Sequence, residues 1–225
     1  MIDLSVSPKP FELRTVGEVV TEDYRRGITF KQFGIDFCCG GGKSIAEACA
    51  AKKVDVETLR KAIENVSETG APGVPARAAT WSASFLADYI VNQHHAYVRE
   101  RVPVLRKFTA RVAAVHGHHY TELQEIRDIF STLADELEAH MADEEAIFPE
   151  IGRADVSGRL GELEQEHTEA GEAMARIRAL SGDYTPPEGA CNTFRAAYAG
   201  LKEFEEDLHA HVHLENNILF PKLMG

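Results

Sequence analysis

The chain has 225 residues, 44% apolar and 27% charged, with a formal net charge of −12. That is the composition of a globular protein with enough apolar material for a core, and no run approaches the ~18 uninterrupted apolar residues of a membrane span. Residues 1–79 carry 11 acidic and 11 basic side chains and residues 80–225 carry 25 and 13, so the negative charge lies in the second part and argues against nucleic-acid binding.

Residues 1–66 read as a small helical unit, with three or four short helices over 15–66. Its exceptional stretch is G-I-D-F-C-C-G-G-G-K-S-I-A-E-A-C, from Gly34 to Cys49. Cys38 and Cys39 run through three glycines into a helix expected to open near Lys43–Ser44. Thiols beside a helix N-terminus and a lysine ionise readily, which marks the pair as reactive or metal-binding. The competing reading is two small residues packed at a tight turn. A phosphate loop is not met, because its first glycine would fall on Phe37. Cys49 and Cys191 read as packing residues. Four cysteines so spaced make a poor disulfide framework, and MIDLSVSPKPFELR lacks the layout of a secretion signal; a cytoplasmic location is expected. The run S-E-T-G-A-P-G-V-P-A-R-A-A-T at 67–80 is a linker by composition.

Residues 81–225 hold four predicted long helices: about Ser82 to Val115 with a kink expected at Pro103, Tyr120 to Phe148, Asp155 or Ser157 to S-G-D at 181–183, and Cys191 to Leu219 with Pro221 just beyond. The fold class is therefore all-α, an up-down-up-down four-helix bundle preceded by the small helical domain. All ten histidines lie in this part. On the fourth helix the apolar stripe Phe194, Tyr198, Leu201, Phe204, Leu208 continues as His211, Glu215 and Ile218, which puts His209 and His213 toward solvent. The second helix repeats the pattern: Leu123, Ile126, Phe130, Leu133, Leu137, His140, Glu144, Ile147. His167 lies on the stripe of the third helix and His95 on that of the first. His94 falls off the stripe, one register step from exchanging with His95.

The spacings reveal a duplication. His95 to His140 spans 45 residues and His167 to His211 spans 44; each half is a helical hairpin with a histidine on its first arm and H-x-x-x-E on its second. The halves end alike in A-I-F-P and I-L-F-P, the first being one residue shorter between its glutamate and Phe-Pro.

Singly, each histidine is an ordinary core or surface residue. As a set, four imidazoles and two carboxylates aimed into an apolar core need a partner, since an unpaired buried carboxylate costs several kcal/mol, roughly, or takes up a proton. Imidazole and carboxylate are good ligands for divalent iron, manganese and zinc, and a glutamate has two oxygens with which to bridge two ions. A metal pair held by His95, His140, Glu144, His167, His211 and Glu215 is therefore expected, with positions left for water, an oxo bridge or a small molecule. Gly171, one turn past His167, would add space. Glu136 and Asp207, one turn before His140 and His211, are candidates to accept a hydrogen bond from a ligand imidazole, and Glu166 is a candidate proton carrier.

With these residues in view, the chain resembles the iron–sulfur cluster repair di-iron proteins, the RIC family of hemerythrin-like proteins. The likeness is carried by D-F-C-C-G-G-G-K at 36–43, H-M-A-D-E-E at 140–145, E-H-T-E-A-G-E at 166–172 and H-V-H-L-E-N-N-I-L-F-P at 211–221. It implies two non-haem iron ions on the same six residues, bridged by carboxylate with or without an oxo group, and nitric oxide or oxygen as the small ligand. It also implies a role in nitrosative and oxidative stress, with damaged iron–sulfur proteins as partners and Cys38 and Cys39 passing iron or electrons. Nitric oxide reduction at the pair, and scavenging or sensing of the gas without iron delivery, stay open as alternatives. No membrane or nucleic-acid partner is expected, and the oligomeric state is open, a homodimer included.

Overall fold

A computed structural model describes residues 9–64, 74–75, 77–151 and 157–224. Four short helices form the N-terminal layer: α1 (Val16–Glu22), α2 (Arg26–Gln32), α3 (Ile45–Lys52) and α4 (Val56–Glu64). Two of them start on reciprocal capping boxes. Thr15 and Glu18 close the first turn of α1, and Ser44 and Glu47 that of α3, each satisfying two backbone N–H groups that lack an intrahelical acceptor. Of the expected 67–80 linker, residues 67–73 and 76 lie outside the described residues; near its end Ala78 is buried in a 3₁₀ turn, Ala78–Thr80.

The bundle follows. Its first arm is α5 (Ala83–Ile90), a π turn (Val91–His95) and α6 (Ala96–His116), which runs through Pro103. The other arms are α7 (Glu122–Ile147), α8 (Ser157–Leu180) and α9 (Asn192–Leu214), the last prolonged by a second π turn (Glu215–Leu219) and α10 (Phe220–Met224). Neighbouring arms α6–α7, α7–α8, α8–α9 and α9–α6 pack in a closed ring. The expected stop before Pro221 is not observed. Pro221 is the second residue of α10, which continues the helical run directly from the π turn.

That π turn explains the one-residue difference between the halves. Pro149 lies five positions after Glu144, and Pro221 six positions after Glu215. The extra residue is taken up as one wide i→i+5 turn inside an otherwise α-helical arm.

Two apolar clusters fill the interior. One joins the N-terminal layer (Val20, Phe30, Ile45, Leu59) to the bundle (Phe130, Met174, Phe194, Phe204); the other gathers Leu86, Ile90, Ile147, Leu163, Leu214 and Phe220. Along each arm the buried histidines fall between residues of the first cluster and residues of the second, so the polar side chains occupy a seam between two dry regions.

The layer covers one face of α9, and this corrects the expectation for the outer histidines. His213 is fully buried and His209 half-buried. The Phe37 ring packs 5.7 Å from His209 and 6.1 Å from His213, and Tyr24 lies 5.5 Å from His213. Burial depresses the pKa of each to about 4, so both are neutral packing groups at pH 7. Glu205, wholly buried beside them, is held by Arg178 of α8 (Nε 2.9 Å) and by Lys31 of α2 (Nζ 2.9 Å). This ion triad ties the layer to two arms of the bundle. Glu205 is the buried member, so Arg178→Ala, which removes its two-bond partner, is expected to cost about 3 kcal/mol in denaturant-induced unfolding.

Candidate metal centre

The six side chains of the two hairpins meet in the seam. His95, His211, Glu144 and Glu215 form one group of potential ligand atoms within 4.8 Å of one another; His140, His167, Glu144 and Glu215 form another. Both carboxylates belong to both groups, and their oxygens divide between them. Glu144 puts Oε2 at 3.2 Å from His95 Nε2 and Oε1 at 3.3 Å from His140 Nε2. Glu215 puts Oε1 at 2.9 Å from His211 Nε2 and Oε2 at 3.2 Å from His167 Nε2. All four imidazoles thus turn the same nitrogen inward.

Several of these inward atoms lack a hydrogen-bond partner: His95 Nε2, both Glu144 oxygens and Glu215 Oε2 are buried and orphaned. An orphaned buried carboxylate is costly, and a divalent cation in each group would satisfy every one of these atoms. Nitrogen and oxygen donors in equal number fit iron, manganese or zinc.

Three of the four outward nitrogens are fixed by partners, and His211 Nδ1 is not. His95 Nδ1 donates to Glu145 Oε1 (2.8 Å), which Arg99 also holds; His140 Nδ1 donates to Glu166 Oε2 (2.6 Å); His167 Nδ1 donates to Asn216 Oδ1 (2.7 Å). These bonds set the tautomer that leaves Nε2 free to ligate. Glu136, expected to serve His140, is instead exposed, and Glu166 holds that ring. Glu136, Glu166 and the rings of His140 and His167 line a cavity of about 210 Å³ between α7 and α8, beside the centre. Asp207 bonds His94 Nδ1 (3.0 Å) rather than His211. His94 is buried, contrary to expectation, because the π turn at 91–95 widens the helix and brings adjacent histidines inward. Its ring stacks on His211 at 5.4 Å.

Burial opposes charge on His95, His140 and His167, but the bonds and fields of Glu144 and Glu215 outweigh it and raise all three pKa values, His167 most. Burial also works to raise Glu144, and the facing imidazoles overcome it and hold that carboxyl well below its usual range. His211 goes the other way, lowered by burial.

The cysteine pair lies beside the centre. Cys39 Sγ donates to the backbone carbonyl of His167 (3.3 Å), and the two sulfurs are 3.9 Å apart. Gly171 gives its space to Cys39, whose Sγ would touch a side chain there at 3.7 Å, and not to the centre. The expected ready ionisation of Cys38 is not found. Its bond to Cys39, burial and the Asp36 carboxylate push the thiol well above its ordinary value. The physical reason is placement: α3 opens at Ile45, capped by Ser44, so the pair sits a loop away from the helix end. Cys49 is buried as expected, whereas Cys191 is exposed at the start of α9, 3.4 Å from His116 Nε2.

Comparison with known proteins agrees with this architecture. Residues 86–223 match the Hemerythrin HHE cation binding domain, and residues 12–67 match a Domain of Unknown function (DUF542). The chain is 34% identical over 218 residues to the iron-sulfur cluster repair protein YtfE of Pectobacterium atrosepticum, covering 94% of this chain and 96% of that one. It is 35% identical over 215 residues to the iron-sulfur cluster repair protein ScdA of Staphylococcus haemolyticus, covering 92% and 96%. The chain belongs to the hemerythrin-like iron-sulfur cluster repair family.

Two residues beside the centre of this family member escaped sequence reasoning. Glu145 was visible only as the second acid of E-E, and Asn216 only as the residue after a ligand glutamate; neither lies on the apolar stripe. Two outcomes follow from the geometry. Glu166→Gln is expected to weaken metal binding about tenfold or more in competition with a chromophoric chelator, and Glu136→Gln to leave it unchanged. Because His95, His140 and His167 hold protons to higher pH than usual and must lose them to ligate, metal added near pH 7 in weak buffer is expected to acidify the solution, and loading is expected to fall as pH falls.

Proposed function

We propose that Glu144 and Glu215 bridge two iron ions, one on His95 and His211 and the other on His140 and His167, and that the chain supports repair of damaged iron–sulfur clusters under nitrosative and oxidative stress. The observation that carries this reading is the division of both carboxylates between two histidine pairs, an arrangement suited to two adjacent cations. The names of the curated relatives support the repair role. An iron pair with open positions supplies binding and redox chemistry toward small ligands such as nitric oxide or oxygen.

The chain's own residues supply the rest. Glu145, Glu166 and Asn216 orient three of the imidazoles, and the two apolar clusters keep bulk water from the seam. Glu166, half-exposed at the mouth of the α7–α8 cavity and bonded to His140, is placed to pass protons between solvent and the centre. Among the described residues no helix is long and apolar enough to cross a membrane, which is compatible with action in the cytoplasm.

A second reading, scavenging of nitric oxide without delivery of iron, draws on a specific observation. Cys38 is buried and its thiol is held protonated, so iron transfer through it requires the loop to move, whereas gas binding requires nothing of it. Recovery of a damaged cluster enzyme separates the two. Repair predicts that iron-loaded protein restores its activity and that Cys38→Ser/Cys39→Ser protein restores markedly less. Scavenging predicts nitric oxide binding, seen in the anaerobic absorption spectrum, with no recovery. A metal analysis showing no iron on protein grown with iron would overturn both.

A further inference from the structure

The second π turn carries three consecutive side chains to three destinations. Glu215 enters the centre, Asn216 holds His167, and Asn217 leaves the bundle for the N-terminal layer. Asn217 Nδ2 donates to the backbone carbonyl of Cys38 (3.0 Å) and to His213 Nδ1 (3.3 Å). Its amide is seated against Gly17 of α1 and Gly41 of the cysteine loop, and a side-chain carbon on either glycine would collide with it. Neither glycine has a positive φ, so room for the amide, not backbone conformation, is what requires glycine at both positions. Gly17 N–H donates to Gly41 O (2.8 Å), which closes the seat.

The loop beneath is a rigid unit. Asp36 Oδ1 accepts from the N–H groups of Cys38 (3.0 Å) and Cys39 (3.1 Å), and Oδ2 from Gly40 (3.0 Å). None of these bonds reaches the bundle. Among the described residues the polar links that do include Asn217 to Cys38, Cys39 to the His167 carbonyl, and the Phe37 backbone to His213. A loop fastened so locally moves as one body when its outside ties are cut.

We propose that Asn217 is a positioning residue for the thiol pair. Its amide docks the Cys38–Cys39 loop on the helix that carries Glu215, shelters Cys38, and leaves Cys39 half-exposed against the helix that carries His167. Opening of the Asn217 seat is then the step that exposes Cys38. This goes beyond the repair reading and does not depend on it, since every contact involved is between residues of the chain.

The test is alkylation of the full-length protein as purified, with iodoacetamide, resolving Cys38 from Cys39 by tandem mass spectrometry. Buried Cys49, in α3 and away from the seat, reports general opening of the layer. Asn217→Ala removes the amide, Asn217→Asp keeps its size without the donor, and Gly41→Ala evicts it. Each is expected to speed labelling of Cys38 about tenfold with Cys49 unchanged, as loss of a local hold should. Gly41→Ala is also expected to lower the melting temperature, and Gly41→Ala/Asn217→Ala to recover that of Asn217→Ala while Cys38 stays fast. Cys38 labelling within about twofold of wild type in both Asn217 variants, or rising only in step with Cys49, overturns the proposal.

Discussion

Two carboxylates with no solvent exposure stand at the centre of this molecule, and the rest of the structure is arranged around them. Glu144 and Glu215 lie in a helical core where an unpaired charge would cost several kcal/mol, roughly, and each is faced by imidazoles from other arms as well as its own. That requirement accounts for the antiparallel hairpins, which bring a histidine of one arm opposite the His–Glu pair of the next. It accounts as well for the outward partners Glu145, Glu166 and Asn216, without which the rings could rotate or present the wrong nitrogen. The apolar clusters on either side make the same carboxylates poor places for water and good places for cations.

The two halves are related by duplication and differ where it matters for the N-terminal layer. In the first, α7 stays α-helical to Ile147 and ends in a 3₁₀ turn. In the second, one inserted residue becomes a π turn that presents Glu215, Asn216 and Asn217 in three directions at once. The centre and the cysteine loop are in this way served by adjacent residues of one turn. The layer rests on that face through apolar packing of Phe37 and Tyr24, the Glu205 triad and the Asn217 seat.

The crowd of histidines near the C-terminus has a layered explanation. His211 faces the centre, as its position on the apolar stripe requires. His213 and His209 face the layer, neutral and packed against aromatic rings. A helix has several faces, and this one is covered on two of them. His94 makes the parallel case in the first arm, where a π turn buries a residue that an unbroken 3.6-residue period would leave outside.

Helix number, the inward stripes, the duplicated H-x-x-x-E and the six converging residues were legible from the amino acids alone, because side-chain periodicity on a helix is a local property and the need to neutralise buried charge is a general one. The partners of those residues were not. Whether Glu136 or Glu166 holds His140, whether Asp207 serves His94 or His211, and whether Cys38 ionises depend on which helix lies alongside and how deeply the loop is covered. Those are relations between segments distant in the chain, set by packing across the bundle and by the layer laid over it. Only the folded molecule decides them.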